Sequence, residues 1–239
     1  MFALPNIFTL LNLICGCIAL FGVFYETSSV VIIAFGVALL FDFLDGTAAR
    51  LMNQTSALGR ELDSLADLVS FGIFPSFLLI DIVERSTDLT SNPAYGLIFV
   101  VAASAALRLA RFNLLSGGSS EFSGMPTPAM AILAFGIWVN LDITINPSLE
   151  LLGDPNFILI LSLALACFMN LPIRFIKFAP SPGMSLHQIL SIVLILVFLA
   201  GLFIHWRVSV LITGVVYFLL SLLLPLFSNS PGTTHRPLP

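Results

Sequence analysis

At 239 residues, with 58% of them hydrophobic, 9% charged and a mean hydropathy of +1.06, the chain lacks the polar surface of a soluble domain of this size. A formal net charge of −4 gives no basic excess with which to hold nucleic acid. What remains is an all-α polytopic membrane protein. The three cysteines, Cys15, Cys17 and Cys167, lie in apolar runs with no metal-ligand spacing or disulfide framework, and read as small packing residues.

A bilayer crossing takes about 20 apolar residues, and on that ruler the chain divides into eight spans. The first, Ile7–Tyr25, is preceded by neither Lys nor Arg and followed by no small-residue cleavage site, so it reads as a retained helix and not a secretory signal. Then come Ser29–Arg50, Gly59–Val83, Pro93–Asn113, Pro128–Ile145, Asn156–Leu171, Leu186–His205 and Val208–Phe227. Turn chemistry separates them at Asn92-Pro93, Pro126-Thr127-Pro128, Asn146-Pro147, Gly153-Asp154-Pro155 and Pro180-Ser181-Pro182-Gly183. Residues 1–227 form one catalytic domain on this reading, and 228–239 a short polar tail. Of the nine Lys and Arg residues, seven (Arg50, Arg60, Arg108, Arg111, Arg174, Lys177 and Arg236) fall on one side of this topology, and only Arg85 and Arg207 on the other. The positive-inside rule therefore places both termini, and the turn joining the second and third spans, in the cytoplasm.

That turn is flanked by the most informative residues. Asp42, Asp45, Gly46 and Ala49 follow one another at i, i+3, i+4 and i+7, one face of the second span; Gly59, Asp63 and Asp67 occupy one face of the third. Residues 51–58 turn the chain back, so four carboxylates converge near the cytoplasmic end. A single central Asp already costs roughly 2.5–3.5 kcal/mol in a membrane helix. Four together call for positive charge, and carboxylate oxygens suit a pair of Mg²⁺ or Mn²⁺ ions of the kind that clamps entering and leaving oxygens in phosphoryl chemistry. Gly46, Ala49 and Gly59 leave room for a bulky substrate such as a nucleotide against the backbone. A divalent-cation transporter would also place acids in membrane helices. It would not account for Gly46, Ala49, Arg50 and Gly59 at set spacing, nor for acids gathered at one membrane face.

The complete pattern, D-x2-D-G-x2-A-R-x8-G-x3-D-x3-D from Asp42 to Asp67, resembles the signature of the CDP-alcohol phosphotransferase family, with each fixed position present. The opening helix, with Pro5, Asn6, Thr9, Asn12 and Gly16, is similar to that of one branch, the phosphatidylserine synthases. Ala106–Asn113 and Gly124–Ala129 resemble two further blocks of the same branch, and the likeness extends through about Lys177. The resemblance implies a six-helix catalytic core followed by two C-terminal helices, commonly dimeric, with a cytoplasm-facing cavity. It implies phosphatidyl transfer from CDP-diacylglycerol to L-serine with release of CMP, or to glycerol 3-phosphate, inositol phosphate or another alcohol in a sister branch. It carries Asp42, Asp45 and Asp63 over as metal ligands and Asp67 as general base that also touches metal. Gly46, Ala49, Arg50 and Gly59 would line the CDP site with Asn6 and Thr9 nearby. Arg108 and Arg111, at i and i+3 near the cytoplasmic end of the fourth span, are candidates for gripping the acceptor carboxylate or a phosphate.

Overall fold

The computed structural model describes residues 3–52, 56–115, 124–143, 151–172, 201 and 205–222. These residues are helical with short connections and contain no strand. The helices are α1 (Leu4–Phe24), α2 (Ser28–Leu51), α3 (Ala57–Leu68), α4 (Phe74–Ser86), α5 (Val100–Leu115), α6 (Thr127–Ile143), α7 (Pro155–Asn170) and α8 (His205–Leu222). Among the described residues, five stretches are long and apolar enough to cross a membrane: α1, α2, the continuous run Ala57–Ser86, Pro93–Leu114 and α8. Exposed Phe24, Ile33, Phe43 and Ile160 show that the outer faces are apolar, as lipid requires. The chain is an integral membrane protein. Helices α6 and α7, of 17 and 16 residues, coincide with the expected fifth and sixth spans but fall short of the usual crossing length. Of the expected seventh span only Gly201 and His205 are described; Arg174, Lys177 and the tail lie outside the described residues.

The first two helices form a tight antiparallel pair. Glu26 takes a left-handed φ of 50° at the end of α1, and the Thr27 N–H donates to the Gly22 carbonyl at 2.8 Å, closing the helix within three residues. Gly22 allows the approach: a Cβ there would stand 3.0 Å from the Val31 backbone nitrogen.

The third expected span is not a plain helix. After α3 the chain makes a π-helical turn over Val69–Ile73, in which the Phe74 N–H reaches back to the Val69 carbonyl, before continuing as α4. Pro75 accounts for this: it has no N–H to give the Phe71 carbonyl, and its ring crowds that position. Such turns recur at functional sites, and this one begins two residues after Asp67. Gly72 within it lets α5 come close, a Cβ there lying 3.0 Å from that of Ala105.

Beneath the acidic residues lies an aromatic core. Phe35 of α2 meets Phe74 at 5.1 Å and Phe135 of α6 at 4.7 Å, all three buried. In lipid there is no hydrophobic drive between helices, so close packing and buried polar contacts hold them. Small residues serve at α6 and α8, where a Cβ on Gly136 would stand 2.9 Å from Leu211 Cα and one on Gly214 3.3 Å from Leu133 Cα. At the opposite end from the aspartates, Trp138 Nε1 donates to Asp81 Oδ2 at 2.6 Å, and Arg85 pairs with the same oxygen at 2.6 Å.

Candidate active site

The site is assembled where the start of α1, the end of α2 and the start of α3 meet. On α1, Asn6, Thr9, Asn12 and Gly16 recur at helical spacing on its buried face, so the polar half of an otherwise apolar helix turns inward. The Thr9 hydroxyl lies 2.8 Å from Asp45 Oδ2 and 3.1 Å from the Pro5 carbonyl, and the shorter, charged acceptor ties α1 to α2. Helix α3 starts at Ser56, whose Oγ accepts from the Gly59 N–H at 3.0 Å as an N-cap. Gly59 has no room to spare: a Cβ would lie 3.0 Å from Asn6 Oδ1 and 3.1 Å from Ser56 Oγ.

Ligand oxygens of Asp42, Asp63 and Asp67 lie within 4.8 Å of one another. Asp42 and Asp67 come within hydrogen-bonding range, and Asp67, only 9% exposed, keeps its Oδ1 buried without a hydrogen-bond partner among the described residues. At this spacing two unit charges repel by roughly 3–4 kcal/mol per pair for an effective dielectric of about 20. Arg108, on α5, is electrostatically coupled to Asp67 and to Tyr217 of α8, and offsets part of this. Three hard oxygen donors, one of them with an orphaned buried oxygen, fit a divalent cation of the Mg²⁺ or Mn²⁺ type. Asp45 is not part of that trio. It is 5% exposed, takes the Thr9 hydroxyl, and faces the adjoining cavity together with Asp63.

That cavity has a volume of about 350 Å³. All six residues expected at the nucleotide, Asn6, Thr9, Gly46, Ala49, Arg50 and Gly59, line it. Ser56, Arg60 and Phe112 line it too, and sequence reasoning assigned none of them a substrate role. Ser56 and Arg60 could have been found as neighbours of Gly59; Phe112 depends on how α5 docks and carries no local signal. The two arginines of α5 diverge. Arg108 turns inward toward Asp67, whereas Arg111 is exposed and donates to Asn170 Oδ1 of α7 at 3.3 Å. Asn170 is itself fixed by donating to Ser104 Oγ at 2.6 Å.

A substitution tests the cavity directly. Gly46→Leu, at a position where a Cβ would stand 3.6 Å from Arg50 Nη1 and so has ordinary clearance, is expected to fill it and to raise the KM for a CDP-linked lipid at least about tenfold, the scale on which a misfit of one or two kcal/mol acts, while the protein still purifies as a folded species. An unchanged KM would show that the nucleotide lies elsewhere.

An all-helical membrane chain with a partly buried carboxylate cluster beside a glycine-lined cavity defines the class. A sequence profile of the CDP-alcohol phosphatidyltransferase family matches residues 2–171, and the chain belongs to that family. It is similar to a CDP-diacylglycerol–serine O-phosphatidyltransferase of Bacillus subtilis, with 36% identity over 152 residues, 63% of this chain and 81% of the relative. A protein of the same name from Helicobacter pylori strain J99 is 37% identical over 138 residues, 56% of each chain. An archaetidylserine synthase of Methanothermobacter thermautotrophicus is 32% identical over 134 residues, 54% of this chain and 55% of that one. The chain thus spans a little over half the length of the latter two relatives. Helix α8, with Tyr217, lies beyond the family match.

Proposed function

We propose that this protein transfers the phosphatidyl group of CDP-diacylglycerol to the hydroxyl of L-serine, forming phosphatidylserine and CMP. The observation that carries the reading is the meeting of the six nucleotide-site candidates with Asp45 and Asp63 around one cavity of about 350 Å³, next to the Asp42, Asp63 and Asp67 cluster. The serine-transferring names of the relatives support the choice of acceptor.

In this reading the cytidine diphosphate end of the donor enters the cavity and lies against α2 at Gly46 and Ala49, where an absent or small side chain leaves room, and beside Gly59 of α3, whose Cβ position Asn6 and Ser56 already crowd. Arg50 and Arg60, on the same wall, face the phosphate charge. Asp42, Asp63 and Asp67 would hold one divalent cation, Mn²⁺ or Mg²⁺, and Asp45 with Asp63 would share a second. When bound, such ions neutralise pyrophosphate oxygens and so favour attack at the lipid-side phosphorus and departure of CMP. Asp67 accepts the proton of the serine hydroxyl while the new oxygen–phosphorus bond forms and the bond to CMP breaks. Arg108, coupled to Asp67, lies where it can pair with the serine carboxylate. Arg108→Lys is therefore expected to raise the KM for serine about tenfold, the loss of one charge-assisted hydrogen bond, without changing that for the CDP-lipid. Arg111→Lys, away from the aspartates, should leave both within about twofold. Equal effects of the two, read by steady-state kinetics, would remove Arg108 from acceptor recognition.

The excess of Lys and Arg on one side of the topology supports a site and termini that face the cytoplasm. We read the working unit as a homodimer, in line with the family resemblance. Purified protein given CDP-diacylglycerol and isotope-labelled L-serine should place label in the lipid phase with one CMP formed per serine. Label that stays wholly in the aqueous phase would overturn the reading.

A further inference from the structure

Asn12 is fully enclosed on the buried face of α1, yet neither its Oδ1 nor its Nδ2 has a hydrogen-bond partner among the described residues. A carboxamide brings two donors and an acceptor. Left unmet in an apolar interior they destabilise the fold, and a leucine of similar volume would be the more stable choice there.

Helix register gives Asn12 its place. α1 and α2 are antiparallel, and the Thr9–Asp45 hydrogen bond sets their alignment. Three residues further along α1, about 4.5 Å deeper, therefore meet three residues earlier on α2, which puts Asn12 at the level of Asp42. α3 runs beside α1 in the same sense, with Gly59 against Asn6 and Ser70 donating to the Asn12 carbonyl at 3.2 Å. Asp67, one turn before Ser70, shares that level. Asn12 thus underlies the Asp42, Asp63 and Asp67 cluster, and the unpartnered Asp67 Oδ1 lies at the same depth. Two orphaned polar groups at the base of one carboxylate cluster are accounted for together if both are completed by what the cluster holds.

We propose that Asn12 is a positioning residue of the divalent-cation site, its carboxamide hydrogen-bonding the oxygen shell that surrounds a cation held by Asp42, Asp63 and Asp67. The inference rests on the cation reading of those residues given above. Groups that orient a metal's ligands typically govern affinity by about 10–100-fold. An apolar core position would govern only stability.

The test measures Mn²⁺ binding to the full-length purified protein by the electron paramagnetic resonance signal of free Mn²⁺, and thermal unfolding in EDTA, for the parent and Asn12→Leu. The expected result is a Mn²⁺ affinity about 10–100-fold weaker in Asn12→Leu, with an unfolding temperature in EDTA no lower than the parent's. Parent-like affinity, within about twofold, in a folded variant would overturn the role of Asn12 and leave the cation reading intact. Failure of the parent itself to bind Mn²⁺ would overturn both. Should Asn12→Leu not unfold cooperatively, Asn12→Ala, which removes the amide without adding bulk, carries the same expected loss and the same contrary result.

Discussion

Replacing Asp67 by Asn is expected to lower turnover by a factor of about 10²–10⁴, the range a positioned general base contributes, and to change CDP-lipid affinity by only a few-fold. Asp67 is the candidate because of where it sits. It is the deepest member of the acidic cluster along α3, it has an oxygen with no hydrogen-bond partner among the described residues, and it couples to Arg108 on α5. Asn keeps the volume and one oxygen but takes up no proton at neutral pH, so the shape of the site survives while its proton acceptor does not. Asp42→Asn is the comparison. Asp42 shares the cluster but belongs to α2, beside the nucleotide wall, and its loss should weaken donor and cation binding along with turnover. Steady-state kinetics paired with equilibrium binding of CDP-diacylglycerol separates the two roles. If Asp67→Asn lost binding in the same proportion as turnover, Asp67 would act only as a metal ligand and the base would have to be sought elsewhere.

The second large effect is that of chelation. Three carboxylates whose oxygens lie within 4.8 Å repel one another in a partly buried setting, with Arg108 to offset only part of the charge. Excess EDTA is expected to reduce turnover to background, and Mn²⁺ or Mg²⁺ to restore it. Because a cation that binds only the folded form stabilises it by about 2.7 kcal/mol at a hundred times its Kd, saturating Mn²⁺ should also raise the unfolding temperature by several degrees. Asp63→Asn should abolish that rise. Full activity in EDTA would remove cations from the account, and a thermal shift that persists in Asp63→Asn would assign the stabilising ion to another place.

Much of this site could be read in the sequence because its parts obey helical periodicity. Asp42, Asp45, Gly46 and Ala49 on one helix, and Gly59, Asp63 and Asp67 on the next, are separated by a turn short enough that their faces must meet. Thr9 and Asn6 could be named only by resemblance, since nothing in an apolar first helix states which partner its polar residues will find; the hydrogen bond to Asp45 supplies it. The π-helical turn over Val69–Ile73 was not legible, because Gly72 and Pro75 lie within an apolar run that reads as one unbroken span. The divergence of Arg108 and Arg111 was not legible. Their spacing puts their Cα atoms on one stripe, while their side chains are drawn apart by Asp67 on α3 and Asn170 on α7. Tyr217 was invisible for the same reason: its place beside Arg108 depends on how α8 docks, through Gly136 against Leu211, and not on any local motif.

Transfer to serine releases one CMP for each lipid made, so CMP release is the measurement on which the proposed reaction stands or falls. Purified protein would be given CDP-diacylglycerol and Mn²⁺ or Mg²⁺ with L-serine, glycerol 3-phosphate, inositol phosphate or no acceptor. CMP release is expected to require L-serine and to be lost in Asp67→Asn. Release that requires a different acceptor would contradict serine and keep the chemistry. No release from folded protein with any acceptor or metal, alongside Mn²⁺ flux into proteoliposomes, would contradict the enzyme and leave a cation transporter in its place.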